Sequence, residues 1–141
     1  MNDIILLKLG EIVLKGLNRR SFEQKLMNNI KFRLQKIGSF RSYLMQSTVY
    51  IEPADEFADM DAAFEAMTRV FGIASVNRAA GCEKEPEAIA RLAIEYLRED
   101  MLSAASFKVE AKRSDKRFPL TSIQLSQYVG GELAEAYPQC R

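Results

Sequence analysis

Apolar residues along this chain change period several times, and each change marks an element. Ile4 to Leu9 is a short, nearly continuous apolar run broken by Lys8, the pattern of a buried strand. Gly10 ends it. Phe22, Leu26, Ile30, Leu34 and Ile37 recur at helical spacing, opened by Asn18 or by Ser21, which forms a capping-box pattern with Gln24; Gly38 closes the helix. Phe40–Met45 and Thr48–Glu52 read as two strands joined across Gln46-Ser47, with Tyr43, Met45, Val49 and Ile51 as their apolar positions and Pro53 as the stop. A second helix is predicted over Asp55–Val70, capped by Asp59 or Asp61, with Phe64, Met67 and Phe71 on its apolar edge. Ile73–Ala79 is a fourth strand. Strand, helix, strand, strand, helix, strand is the order of a ferredoxin-like βαββαβ domain: an antiparallel sheet with both helices on one face.

A second set of elements follows. Pro86 suits the first turn of a helix that buries Ile89, Leu92, Ala93, Tyr96 and Leu97 and runs to about Leu102. From Phe107 the pattern alternates: Phe107, Val109 and Ala111 on one side, Lys108, Glu110 and Lys112 on the other, as in a half-buried strand over Phe107–Arg113. A basic loop follows, with Phe118 among its charges and Pro119 closing it. Thr121 and Gln124 have capping-box spacing, so a helix starts near Thr121 or Ser122. It carries Tyr128, Val129, Leu133 and Ala136 on one side and ends at Pro138. Gly130-Gly131 inside it costs roughly 1 kcal/mol per glycine relative to alanine. Tight packing of the helix on a sheet, or a close approach by another backbone or a bound partner, would offset that cost. Two helices and one strand make no closed sheet, so the second unit is expected to be incomplete and the chain to be a fragment.

Composition narrows the function classes. The chain has 141 residues, 48% hydrophobic and 28% charged, enough for a packed core. Its net charge is only +1, but the charge is segregated. Residues 1–52 hold nine Lys/Arg against four Asp/Glu, and residues 107–120 hold five against two; residues 53–71 hold one against five. With no histidine, and with Cys82 and Cys140 at no metal-ligand spacing, a zinc site or a histidine triad is excluded within these residues and no catalytic residue is assigned. No apolar run has the length of a membrane span or a signal peptide, so cytoplasmic placement is expected.

Two cationic clusters are the candidate chemistry. Lys112, Arg113, Lys116 and Arg117 lie on the loop before a capped helix, where mobile cations and first-turn amides suit a phosphate. Lys15, Arg19 and Arg20 lie at a turn and the first turn of a helix. There they oppose the helix dipole, which a bound anion would offset.

Four stretches carry a family resemblance: GEIVLKGLNRRSFEQKLMNNI at 10–30, RVFGIASV at 69–76, VEAKRSDKRFPLTS at 109–122 and YVGGEL at 128–133. The whole chain resembles, in register, the N-terminal region of the tRNA 4-thiouridine synthetase family, also called tRNA sulfurtransferase or thiamine-biosynthesis sulfur carrier. The resemblance implies an α+β chain: a ferredoxin-like domain over residues 1–80, then a truncated THUMP domain over residues 81–141. The family's PP-loop catalytic domain, with its SGGxDS motif and reactive cysteines, is not among these residues. The resemblance further implies that the whole enzyme uses ATP and a persulfide sulfur donor, fed by a cysteine desulfurase, to thiolate uridine 8 of tRNA and to supply sulfur for thiamine thiazole synthesis. No cofactor is expected in this fragment. What remains for it is tRNA binding at the acceptor end, with Lys15, Arg19, Arg20, Lys112, Arg113, Lys116 and Arg117 on the backbone and Phe118 a candidate for base stacking. A homodimer is compatible with the family, and no membrane partner is expected. Two alternatives are a THUMP-type region of another tRNA-modifying enzyme and a ferredoxin-like protein-interaction module.

Overall fold

In the computed structural model, residues 2–10 and 18–140 are described. They divide into two compact units, Asn2–Gly81 and Cys82 onward, and each is treated by itself.

The first unit is a four-stranded antiparallel sheet in the order β2-β3-β1-β4, with two helices. Its elements are β1 (Asn2–Leu9), α1 (Arg19–Gln35), β2 (Phe40–Met45), β3 (Thr48–Pro53), α2 (Met60–Met67) and β4 (Ile73–Gly81). β1 is central, pairing with β3 (Leu7 opposite Val49) and β4 (Leu7 opposite Val76). Its apolar run resolves into an alternation. Ile5, Leu7 and Leu9 are buried against Leu26, Ile30 and Leu34 of α1 and Ala63 and Met67 of α2, whereas Lys8 is exposed. Full burial of side chains such as Ile5 and Leu7 contributes about 1.5–3 kcal/mol each. Both helices thus cover one face, as the ferredoxin-like order requires.

Several local expectations are corrected. In β2 the half-buried positions are Phe40, Ser42 and Leu44, while Tyr43 and Met45 face outward. Tyr43 stacks on Tyr50 directly across the ladder, ring centroids 5.1 Å apart, which is where its apolar surface goes. α2 is shorter than its sequence pattern. Asp55 accepts a bond from the Phe57 amide and makes a turn instead, and Asp59 caps the helix through the Ala62 amide. Phe71 is exposed rather than on the apolar edge. α1 begins at Arg19 with Asn18 as its cap residue, but no side-chain cap bond forms there, so the Ser21–Gln24 box is not made. Gly72, at φ 95°, supplies the left-handed turn into β4, and its carbonyl accepts from the Gly10 amide at 2.8 Å.

The second unit comprises α3 (Pro86–Tyr96), α4 (Arg98–Ser103) and α5 (Ser122–Ala136). Pro86 starts α3 as predicted, but one long helix to Leu102 is not formed: the chain breaks at Leu97 (φ −94°, ψ 11°) before α4. Met101, Val129, Leu133, Tyr137 and Cys140 form the buried centre, with Ile89, Ala93, Phe107 and Val109 packed on it. Thr121 and Gln124 make the full capping box. Phe107–Arg113 keeps its in-out alternation of burial, yet it is not a strand, because no neighbouring segment among the described residues offers it a ladder.

Candidate nucleic-acid interface

The loop between residue 112 and α5 is held by its own charges. Arg113 has the same parity as Phe107, Val109 and Ala111, so the alternation turns it inward. Its guanidinium donates to the carbonyls of Phe118 and Leu120, both at 3.4 Å, and its amide donates to Ser122 Oγ at 3.0 Å. Arg113 therefore braces the loop across to the start of α5. Asp115 braces it from the other side. Its carboxylate accepts from the Arg117 amide at 3.0 Å and the Arg117 guanidinium at 3.2 Å, and lies 3.6 Å from Lys84 Nζ. The Arg117 side-chain bond, then its amide bond, hold the Asp115 carboxyl below its ordinary pKa.

Lys112 and Lys116 stand outside this bracing. Both are exposed, and neither has an ion-pair partner among the described residues. The Arg117 side chain is 90% exposed despite its contact with Asp115, so its charge still reaches solvent. The result is a fixed frame that carries three accessible cations. Phe118 is half-buried and, with Ile89 and Leu125, forms the apolar part of a hollow of 180 Å³ whose polar lining is Lys84, Lys112, Arg113, Ser114 and the Asp115 carboxylate. Lys84 is paired with Asp115 and Arg113 is committed to the loop carbonyls, which leaves Lys112 as the cation without a partner among the described lining residues, beside an apolar surface on which a flat group can stack.

In the first unit Arg19 is likewise committed. It pairs with Glu23 at 2.6 Å and donates to Ser47 Oγ at 2.9 Å. Gln46 and Ser47 both have positive φ, 48° and 67°, in the two-residue turn between β2 and β3. For non-glycine residues this conformation carries about 1–3 kcal/mol of strain each, and the Arg19 and Leu9 bonds to Ser47 help to hold it. Arg20 is exposed and has no ion-pair partner among the described residues. Lys15 lies outside the described residues.

The proposed cations thus divide into two kinds: Arg19 and Arg113 committed to bonds within the fold, and Arg20, Lys112, Lys116 and the Asp115-bonded Arg117 facing solvent. Sequence reasoning missed Asp115, Ser122 and Lys84. The signals were there: Asp115 stands two residues before Arg117, the spacing of an Asx turn, and Arg113 and Asp115 both fall on the inward parity. Among the described residues no group of three His, Cys, Asp or Glu is placed to hold a metal. Cys82 and Cys140 are free thiols. Desolvation, then the Glu83 carboxylate, pushes the Cys82 thiol up, away from the thiolate that a nucleophile needs.

Comparison with known proteins assigns both units. Residues 4–77 match the family model of the ThiI ferredoxin-like domain, and residues 83–141 match that of the THUMP domain. The chain belongs to the ThiI ferredoxin-like domain family. Over 142 residues this ThiI-family chain is 39% identical to a probable tRNA sulfurtransferase of Acetivibrio thermocellus, covering 99% of this chain and 36% of that protein. It is 37% identical over 134 residues to a probable tRNA sulfurtransferase of Staphylococcus saprophyticus, covering 95% and 32%. The chain therefore spans about a third of the length of the curated relatives it matches. Among solved structures, PH1313 from Pyrococcus horikoshii is similar with a TM-score of 0.81 and 28% identity, over 100% of this chain and 46% of that one. A 4-thiouridine synthetase solved as an RNA complex with bound ATP gives a TM-score of 0.80 at 20% identity, over 100% and 35%, a likeness of fold. Among the described residues no helix is long and apolar enough to cross a membrane.

Proposed function

We propose that this chain is the tRNA-binding N-terminal region of a tRNA sulfurtransferase that makes 4-thiouridine at position 8 of tRNA. The observation that carries this reading is the braced loop. Within a THUMP unit, Arg113 and Asp115 fix the backbone so that Lys112 and Lys116 are exposed without ion-pair partners among the described residues, and Arg117, though bonded to Asp115, stays open to solvent on the same loop as the half-buried Phe118. Free cations on a fixed frame lose less conformational freedom on meeting phosphates than cations on a mobile loop. The hollow beside Phe118 suits a nucleotide from an unpaired strand, and so the single-stranded acceptor end rather than the bases of a duplex.

The chemistry is assigned to the part of the longer relatives that this chain does not span. There ATP would adenylate uridine 8, and persulfide sulfur passed on by a cysteine desulfurase would displace AMP. The same sulfur would serve thiamine thiazole synthesis. A cytoplasmic homodimer is part of this proposal. The test is binding of unmodified tRNA, intact and trimmed of its single-stranded 3′ end. The proposal expects trimming to weaken binding at least tenfold. Equal affinity for both forms would remove the acceptor end from the account.

A further inference from the structure

The helix α1 differs in charge from every other helix among the described residues. It holds Arg19, Arg20, Lys25, Lys31 and Arg33 against Glu23 alone, and Lys36 follows at its end. α2 and α5 each hold two carboxylates and no cation, and α3 and α4 each hold two carboxylates and one cation. The one carboxylate of α1 is already neutralised by Arg19. A solvated helix face ordinarily mixes signs and gains from i,i+4 pairs. Here Lys25, Lys31 and Lys36 have no ion-pair partner among the described residues, so their charge is not offset by a pair.

The shape along the helix repeats the charge. A hollow of 590 Å³ beside its first half is lined by residues that include Arg20 and Lys25, and one of 580 Å³ beside its second half by residues that include Lys31 and Arg41. Every ionisable residue lining either hollow is cationic, although Arg41 is paired with Glu52. Phe32 lies on this outward side, 53% exposed, with Lys36 Nζ 4.1 Å from its ring centroid. The ring is thus half open to solvent beside the Lys36 ammonium. From Arg20 to Lys31 the helix rises about 16 Å at 1.5 Å per residue, so the cations could follow several phosphates of one strand.

We infer that the outward face of α1 is a second RNA-binding surface. Lys25, Lys31 and Lys36 neutralise backbone phosphates there, and Phe32 stacks on an unpaired base. This inference rests on the tRNA reading above and adds residues that the reading does not use. The experiment measures tRNA affinity of this chain over a salt series in four forms: wild type, the triple variant K25Q/K31Q/K36Q, Phe32→Leu, and the loop variant K112Q/K116Q. Each phosphate contact removed lowers the salt slope by about 0.7–0.9, so the triple variant should lose about 2.1–2.7 from the slope, with circular dichroism unchanged. Phe32→Leu should weaken binding about tenfold and leave the slope as it was. If the triple variant binds like wild type while the loop variant is impaired, the α1 surface is wrong and the tRNA reading stands. A wild-type chain that binds no tRNA at low salt overturns both. Tighter retention on vesicles rich in anionic lipid than on tRNA would overturn it in favour of a membrane surface.

Discussion

Substituting Arg113 separates a residue that holds the loop from one that touches RNA. In Arg113→Leu the apolar length of the side chain is kept, and the two bonds to the Phe118 and Leu120 carbonyls are lost. Each is worth about 0.5–1.5 kcal/mol. At 3.4 Å both lie at the weak end, so the expected loss is about 1–2 kcal/mol of stability in the second unit. A urea titration followed by circular dichroism reads it. The freed loop should also bind tRNA less tightly, by about tenfold, because three cations must then be ordered on binding. The salt slope is the discriminating readout. Arg113 points inward, so its removal leaves the number of phosphate contacts and the slope unchanged, whereas Lys116→Gln should lower the slope by about 0.7–0.9. The reasoning fails if Arg113→Leu leaves stability untouched and lowers the slope by a full contact. That result would place its guanidinium on a phosphate.

Thr121→Ala removes one half of the α5 capping box and should lower stability by about 0.5–2 kcal/mol, read by the same titration. Asp115 has a depressed carboxyl pKa, so its brace contributes fully above the ordinary carboxylate pKa and is lost as pH falls through the lowered value. The Arg117 amide resonance should therefore shift at acid pH in wild type and show no such step in Asp115→Asn. A β-carbon at Gly131 would meet nothing within 4 Å, so Gly131→Ala should stabilise α5 by about 0.5–1 kcal/mol. If tRNA affinity falls while stability rises, close approach by RNA is the reason for the glycine.

The sequence was most legible where one residue type has one local use. The Thr121–Gln124 box and Pro86 at a helix start follow from backbone geometry alone, and both are seen. Strand faces were legible only where the two parities differ. In β2, Phe40, Ser42 and Leu44 compete with Arg41, Tyr43 and Met45; each set holds an aromatic and an aliphatic, and the Tyr43–Tyr50 stack decided the matter from a neighbouring strand. Phe107–Arg113 kept its alternation without becoming a strand, since a ladder depends on a second segment. Gly130-Gly131 suggested tight packing, but a β-carbon at Gly130 would have only an ordinary 3.7 Å contact with Val109. In the candidate site, charge marked the right loop but could not rank its members. The inward parity of Arg113 and Asp115 separates the frame from the free cations.

The measurement that bears most directly on the central claim is the salt dependence of tRNA binding by wild type and by K112Q/K116Q. Two lost phosphate contacts should lower the slope by about 1.4–1.8 while the urea midpoint stays where it was. An unchanged slope and affinity in the double variant would show that the braced loop does not meet RNA.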